Sequence, residues 1–204
     1  MADTLQRAQD IAQLALRFAR VERVTRHEDG IRPETDADHV VMLALVACDL
    51  APDGLNRGRV AEFAVVHDLV EAYAGDTQTL TIDAAGRRDK AERERAAFDR
   101  IRAEFGAGSW MVRTLAAYEG QDEYEARYVR LLDKLLPKLT HLSNGCAAAR
   151  SLTNHAGFVL SHNDQHRNLT GMYGGEWWAG PFLDLLRDAM LASEAAWMDD
   201  VPRV

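Results

Sequence analysis

Apolar residues in this chain recur at three- and four-residue spacing almost throughout, and no period-two alternation exceeds four residues outside a stretch at 77–82. Leu5, Ala8, Ile11, Ala12, Ala15, Leu16 and Ala19 set the pattern at the start. That is the period of a helix with one buried face. A chain without strands must bury such stripes helix against helix. The expected fold is therefore all-α: one domain over 1–204, a bundle of about seven to eight helices. Turn residues and candidate caps place these helices near 4–24, 35–50, 56–73, 87–105, 109–118, 123–142, 151–169 and 177–198.

Composition narrows the function classes. A chain of 204 residues, 47% apolar, buries a full core without disulfide support. The two cysteines, Cys48 and Cys146, are distant in sequence and are expected to be buried free thiols. No apolar run approaches the ~20 residues of a membrane span, and the first twenty residues lack a signal-peptide layout. A cytoplasmic protein without a membrane partner is expected. The formal net charge of -8 argues against a nucleic-acid surface, which needs a basic footprint. A small anionic ligand remains open, because local charge decides that. The basic residues are mostly Arg, which suits planar recognition of phosphate, although a GC-rich genome gives the same bias.

Three polar interruptions of apolar helical runs carry the chemistry. In Ala64-Val-Val-His67-Asp68-Leu-Val-Glu71, an imidazole and a carboxylate stand at the end of an inward-facing stretch. Burying them costs several kcal/mol unless they are paired, and a bound cation would supply the pairing. Glu71 lies four residues after His67 and three after Asp68, on the same helical face. Asp76 follows in the next turn. His39 sits one turn inside a second helix, where a hydrogen-bonded core histidine is the alternative. Asp133 interrupts Leu131-Leu132-Asp133-Lys134-Leu135-Leu136, where an exposed acid paired with an Arg is the alternative. Pro137, four residues later, has no N–H for the Asp133 carbonyl and is expected to kink the helix there.

Taken in order, these residues read His…His-Asp…Asp from three helices. In this the sequence resembles the HD-domain superfamily of metal-dependent phosphohydrolases, and within it the small 5'-deoxynucleotidase-like branch. The matching segments are Arg32-Pro-Glu-Thr-Asp-Ala-Asp-His39, His67-Asp68-Leu-Val-Glu71-Ala-Tyr-Ala-Gly-Asp76 and Leu132-Asp133-Lys134. The resemblance covers about residues 5–140, with C-terminal helices near 150–200 packing on that core. It implies an HD-type helical bundle. It implies metal ligands at His39, His67, Asp68 and Asp133, and one divalent ion (Mn, Co, Fe, Ni, Zn or Mg). It implies catalytic carboxylates at Glu71 and Asp76, one activating water and one protonating the leaving oxygen, in an order left open. It implies an entrance Arg that meets phosphate, with Arg26 the first choice and Arg23 the second. Lys134 is a further phosphate contact or a solvent-facing lysine.

The implied activity is release of phosphate from nucleoside monophosphates, with a small-molecule nucleotide as partner and a homodimer as an option. Hydrolysis of nucleoside di- or triphosphates at the same site is the alternative. A catalytically silent, metal-bound nucleotide sensor is a third reading, against which Glu71 and Asp76 both count. One departure matters. The branch places a Trp directly after the entrance Arg, where it helps to exclude a ribose 2'-hydroxyl, and here no Trp precedes Trp110. His162 and His166, four residues apart, are spaced as a metal pair but lack a companion carboxylate. No P-loop and no Gly-x-Ser-x-Gly elbow is present.

Overall fold

The structure, a computed structural model, describes residues 2–198. In chain order its elements are α1 (Ala2–Phe18), β1 (Glu22–Arg26), β2 (Pro33–Thr35), α2 (Asp36–Asp49), α3 (Arg57–Val66), α4 (Glu71–Ala74), α5 (Ala84–Phe105), α6 (Trp110–Gly120), α7 (Tyr124–Asn144), α8 (Ala147–Leu152), α9 (His155–Tyr173) and α10 (Ala179–Met198). The described residues thus form eight long helices, two short ones and one hairpin. None of the helices is long and apolar enough to cross a membrane.

The central helix is α7, packed against α2, α3 and α10. Its strongly amphipathic sequence puts Tyr128, Leu131, Leu132 and Leu135 into the main core beside Leu43 of α2, Phe63 of α3 and Leu186 of α10. Trp178 seals this core against Tyr128 at 5.6 Å between ring centres, while Trp177 stays 55% exposed. A second core joins Leu14 and Phe18 of α1 to Val66, Val70, Ile101 of α5 and Leu115 of α6. Phe63 and Ala64 belong to the first core, and Val66, Leu69 and Val70 to the second. The His67-Asp68 pair therefore lies on the seam between the two.

Several elements depart from the helical expectation. The first helix stops at Phe18 rather than near residue 24, and Glu22–Arg26 pairs antiparallel with Pro33–Thr35. Val21, Val24 and Thr25 are β-branched and favour the extended chain. The stretch at 77–82 forms no strand and runs as an irregular loop. The helix expected over 56–73 ends at Val66; the next residues turn with i→i+3 bonds, Leu69 N–H to Val66 O and Glu71 N–H to Asp68 O, before α4. Helix α7 runs continuously through Pro137. Helix α8 occupies a stretch expected to be loop, entered through two left-handed residues, Gly145 and Cys146. Cys146 is a buried free thiol, whereas Cys48 is only half-buried.

Tyr128 fastens α7 to α2 by donating its hydroxyl to the Ala47 carbonyl at 3.1 Å. Replacing Tyr128 with Phe should cost about 1 kcal/mol, and with Ala about 3–5 kcal/mol, in denaturant unfolding. Equal losses for the two variants would mean that the hydroxyl, not the ring, holds the helices together.

Candidate metal centre

Helix α2 is pinned at its start by a capping box. Thr35 accepts from the Asp38 N–H, and Asp38 accepts from the Thr35 N–H at 2.9 Å. One turn later His39 faces inward, 1% exposed, with Nδ1 3.1 Å from Glu34 Oε1 and Nε2 3.0 Å from Asp133 Oδ1 of α7. His67, at the C-terminal cap of α3, donates from Nδ1 to the Ala64 carbonyl at 2.9 Å. Its Nε2 lies 3.0 Å from Asp68 Oδ2 and 3.8 Å from Asp133 Oδ1, yet has no hydrogen-bond partner. One ligand atom from each of His39, His67, Asp68 and Asp133 can be chosen so that all four lie within 4.8 Å of one another.

These contacts fit a cation. A carbonyl only accepts, so a neutral His67 keeps its proton on Nδ1 and turns the Nε2 lone pair toward two carboxylates. Facing lone pairs repel unless a positive charge sits between them. Burial opposes the imidazolium, but Asp68 and Asp133 overcome it and push His67 up to about 10, which shows how strongly these atoms call for positive charge. Asp68, despite burial, is held below the usual carboxylate range by His67. A divalent ion would satisfy the same atoms with more charge, and two imidazoles with two carboxylates suit a transition metal. Glu34, behind His39, forms the carboxylate–histidine support that orients a metal-binding ring.

The hairpin decides which Arg reaches this cluster. The register of the hairpin slips between Glu22 and Arg26, so side-chain direction there is set by this irregularity and not by simple alternation. Arg23 Nη1 lies 2.9 Å from Asp68 Oδ2, 3.0 Å from Asp36 Oδ1 and 3.7 Å from Glu71 Oε2. Arg26, by contrast, donates to the Ile31 carbonyl within the hairpin at 3.0 Å, outside the cluster. Oxygens of Asp36, Asp68 and Glu71 also lie close enough to share an ion. The Arg23 guanidinium already bridges Asp36 and Asp68, so it serves as the cation of that trio.

Glu71 is 2% exposed, with Oε1 3.3 Å from Lys90 Nζ and Oε2 without a hydrogen-bond partner. Burial, then the charges of Asp68, Asp36 and Asp76, push it up to about 9 in the ion-free cluster. Asp36 rises to about 6 through burial, against the pull of Arg23. Beside the cluster opens a cavity of about 140 Å³, walled near the metal side by Arg23, Asp76, Asp133 and Lys134. Lys134 donates to Asp133 Oδ2 at 2.7 Å. All the sequence candidates except Arg26 thus meet at one cluster and its cavity. Glu34 and Asp36 are the additions. His162 and His166 part company, the first to Glu194 at 2.7 Å and the second to the Leu183 carbonyl.

If this is the ligand set, the purified protein carries a single equivalent of divalent metal, and Asp68→Ala and Asp133→Ala lose it by elemental analysis. Full retention in either variant removes that residue from the set.

Comparisons with known proteins agree with this geometry. Residues 16–169 match the family model described as HD domain, a span that runs past α7 to include most of α9. The human 5'-deoxynucleotidase HDDC2 is 28% identical over 133 residues, covering 62% of this chain and 64% of that protein. A 5'-deoxynucleotidase of Saccharomyces cerevisiae is 28% identical over 128 residues, covering 56% and 51%. The chain thus spans less than two thirds of the length of these relatives. The crystal structure of a protein described as a predicted metal-dependent phosphohydrolase, from Magnetospirillum magnetotacticum MS-1, superposes with a TM-score of 0.68 over 93% of this chain and 97% of that one, at 24% identity. That likeness extends the shared fold over nearly the whole chain. On the matched span and the helical architecture, the chain belongs to the HD domain family.

Proposed function

We propose that this chain is a metal-dependent phosphohydrolase that releases phosphate from nucleoside 5'-monophosphates. The observation that carries the reading is the convergence of a four-ligand cluster, a buried Arg and two further carboxylates on one cavity. A silent nucleotide sensor needs the ligands and the Arg, but it has no use for Glu71 and Asp76. The names of the curated relatives support a nucleotide monoester as substrate.

A bound divalent ion supplies Lewis acidity to a phosphoryl oxygen and makes a water more acidic. The chain's own groups do the rest. Arg23, fixed between Asp36 and Asp68, carries positive charge at the cavity wall and neutralises the phosphate as it enters. Lys134 adds a second cation on the same wall. Glu71 keeps Oε2 unpaired, and with a divalent cation beside it to favour the carboxylate over the neutral acid, that oxygen would take the proton of the attacking water. Asp76, on the cavity wall, protonates the departing sugar oxygen. The residue after Arg23 is Val24, which also lines the cavity. No indole stands there to reject a 2'-hydroxyl, so ribo- and deoxyribonucleotides are both accepted.

The test is a nucleotide panel assayed with Mn and Co, with phosphate and pyrophosphate both measured. Phosphate from monophosphates supports the proposal; pyrophosphate from triphosphates alone overturns it. Glu71→Gln should lower kcat by about 10²–10⁴-fold with metal still bound. Equal turnover in wild type and Glu71→Gln would instead leave Glu71 a structural acid. Arg26→Ala should leave KM within about twofold, since its contact is a peripheral carbonyl bond of modest worth. A large rise in KM would return the phosphate contact to the hairpin tip.

A further inference from the structure

The cavity continues along α7, away from the cluster, and changes character. On the wall beyond Lys134 come Lys138 and His141 from α7, Thr25 from β1, and Ser161 and Gln165 from α9. Lys138 is 7% exposed. Among the described residues none offers its ammonium a hydrogen bond or a carboxylate within ion-pair reach. Around it, Thr25 Oγ1, His141 Nδ1 and Gln165 Oε1 are each buried without a partner. The acids of the cavity, Asp76 and Asp133, stand at the metal end. A buried ammonium with no counter-charge, in a cavity lined by unsatisfied polar groups, is a costly arrangement for a protein interior.

We infer that this far end is a binding subsite for a second acidic group of the substrate, a phosphate or a carboxylate, with Lys138 as its counter-ion. The inference rests on the phosphohydrolase reading above, with the scissile phosphate at the metal end. Lys138 lies five residues beyond Asp133, about 7.5 Å along the helix axis at 1.5 Å per residue. Two phosphates joined by one bridging oxygen stay together at the metal end. An acidic group carried on the far side of the sugar, or on the base, reaches Lys138. Thr25, Ser161 and Gln165 each have a hydrogen to donate to such a group. The charged groups around Lys138 are few: Asp133, Lys134 and His141 on its own helix, Arg23 on β1, Asp76 in the loop after α4, and His162 on α9. Burial, then Lys134, push Lys138 down to about 7, and an anion bound beside it would favour the ammonium again by supplying the missing counter-charge.

The experiment compares paired substrates: 2'-deoxyadenosine 3',5'-bisphosphate against its 5'-monophosphate, and orotidine against uridine 5'-monophosphate. The first pair adds a phosphate on the sugar, the second a carboxylate on the base. In wild type, kcat/KM should favour the acidic member of at least one pair by about tenfold or more, and that ratio should collapse toward one in Lys138→Met. Lys138→Arg should retain part of the preference. Met keeps the buried stem, and thermal unfolding confirms that the variant is folded. A ratio near one in both pairs, or a preference that Lys138→Met leaves intact, overturns the inference and points to neutral base recognition. Should wild type hydrolyse none of the four, the reading of monophosphates as substrates fails, and calorimetric titration with the bisphosphate still decides the subsite. About tenfold weaker binding to Lys138→Met supports it; equal binding sinks it.

Discussion

Everything at the heart of this molecule answers to one electrostatic constraint: oxygens and imidazole nitrogens from five acids and two histidines are packed where water barely reaches. Glu34, Asp36, Asp68, Glu71 and Asp133 would repel one another strongly at such range in a weakly screening interior. Arg23, Lys90 and Lys134 each take up part of that charge from a different side. The remainder falls between His39, His67, Asp68 and Asp133, where His67 Nε2 has no partner. The helices are arranged so that this remainder is concentrated at one point, and a divalent ion is the simplest species that discharges it.

That concentration is the product of ordinary packing. Helix α7 is central because its apolar stripe meets three neighbours, and Asp133 lies on the part of α7 that faces α2. The capping box sets where α2 begins and so the height of His39. After Val66 the bonds shift from i→i+4 to i→i+3, and in such a turn residues three apart stack on the same side, which brings oxygens of Asp68 and Glu71 within 4.8 Å of each other. The polar centre is thus held by elements whose stability comes from Leu, Phe, Tyr and Trp contacts on either side of it.

Much of this was legible in the sequence, for identifiable reasons. Helical periodicity is strongest in α1 and α7, and their existence followed directly. The ligand set was legible because His67, Asp68 and Asp133 interrupt apolar runs, where a polar residue must be explained. The hairpin was not. Its strands are five and three residues long, their pairing partners lie across a loop, and a helical pattern runs into them from α1. Without the hairpin, nothing in the sequence separates Arg23 from Arg26, and the resemblance alone put Arg26 first, although it is Arg23 that reaches the cluster. Glu34 was hidden for the same reason: it is the middle residue of β2, and only the strand's alternation turns it inward.

The hairpin also has a thermodynamic role. A two-stranded ribbon of this size has little intrinsic stability. What secures it is the guanidinium it carries inward, together with the Asp36 N–H bond to the Val21 carbonyl and the bond from Asn144 of α7 to the Arg26 carbonyl. Peeling β1 away would strip Asp36 and Asp68 of their cation, so excursions of the ribbon are opposed by the whole buried charge cluster. Any occupant that adds negative charge beside Arg23 opposes them further. The hairpin is thereby coupled energetically to the contents of the cavity it borders, and ligand occupancy and ribbon opening oppose each other.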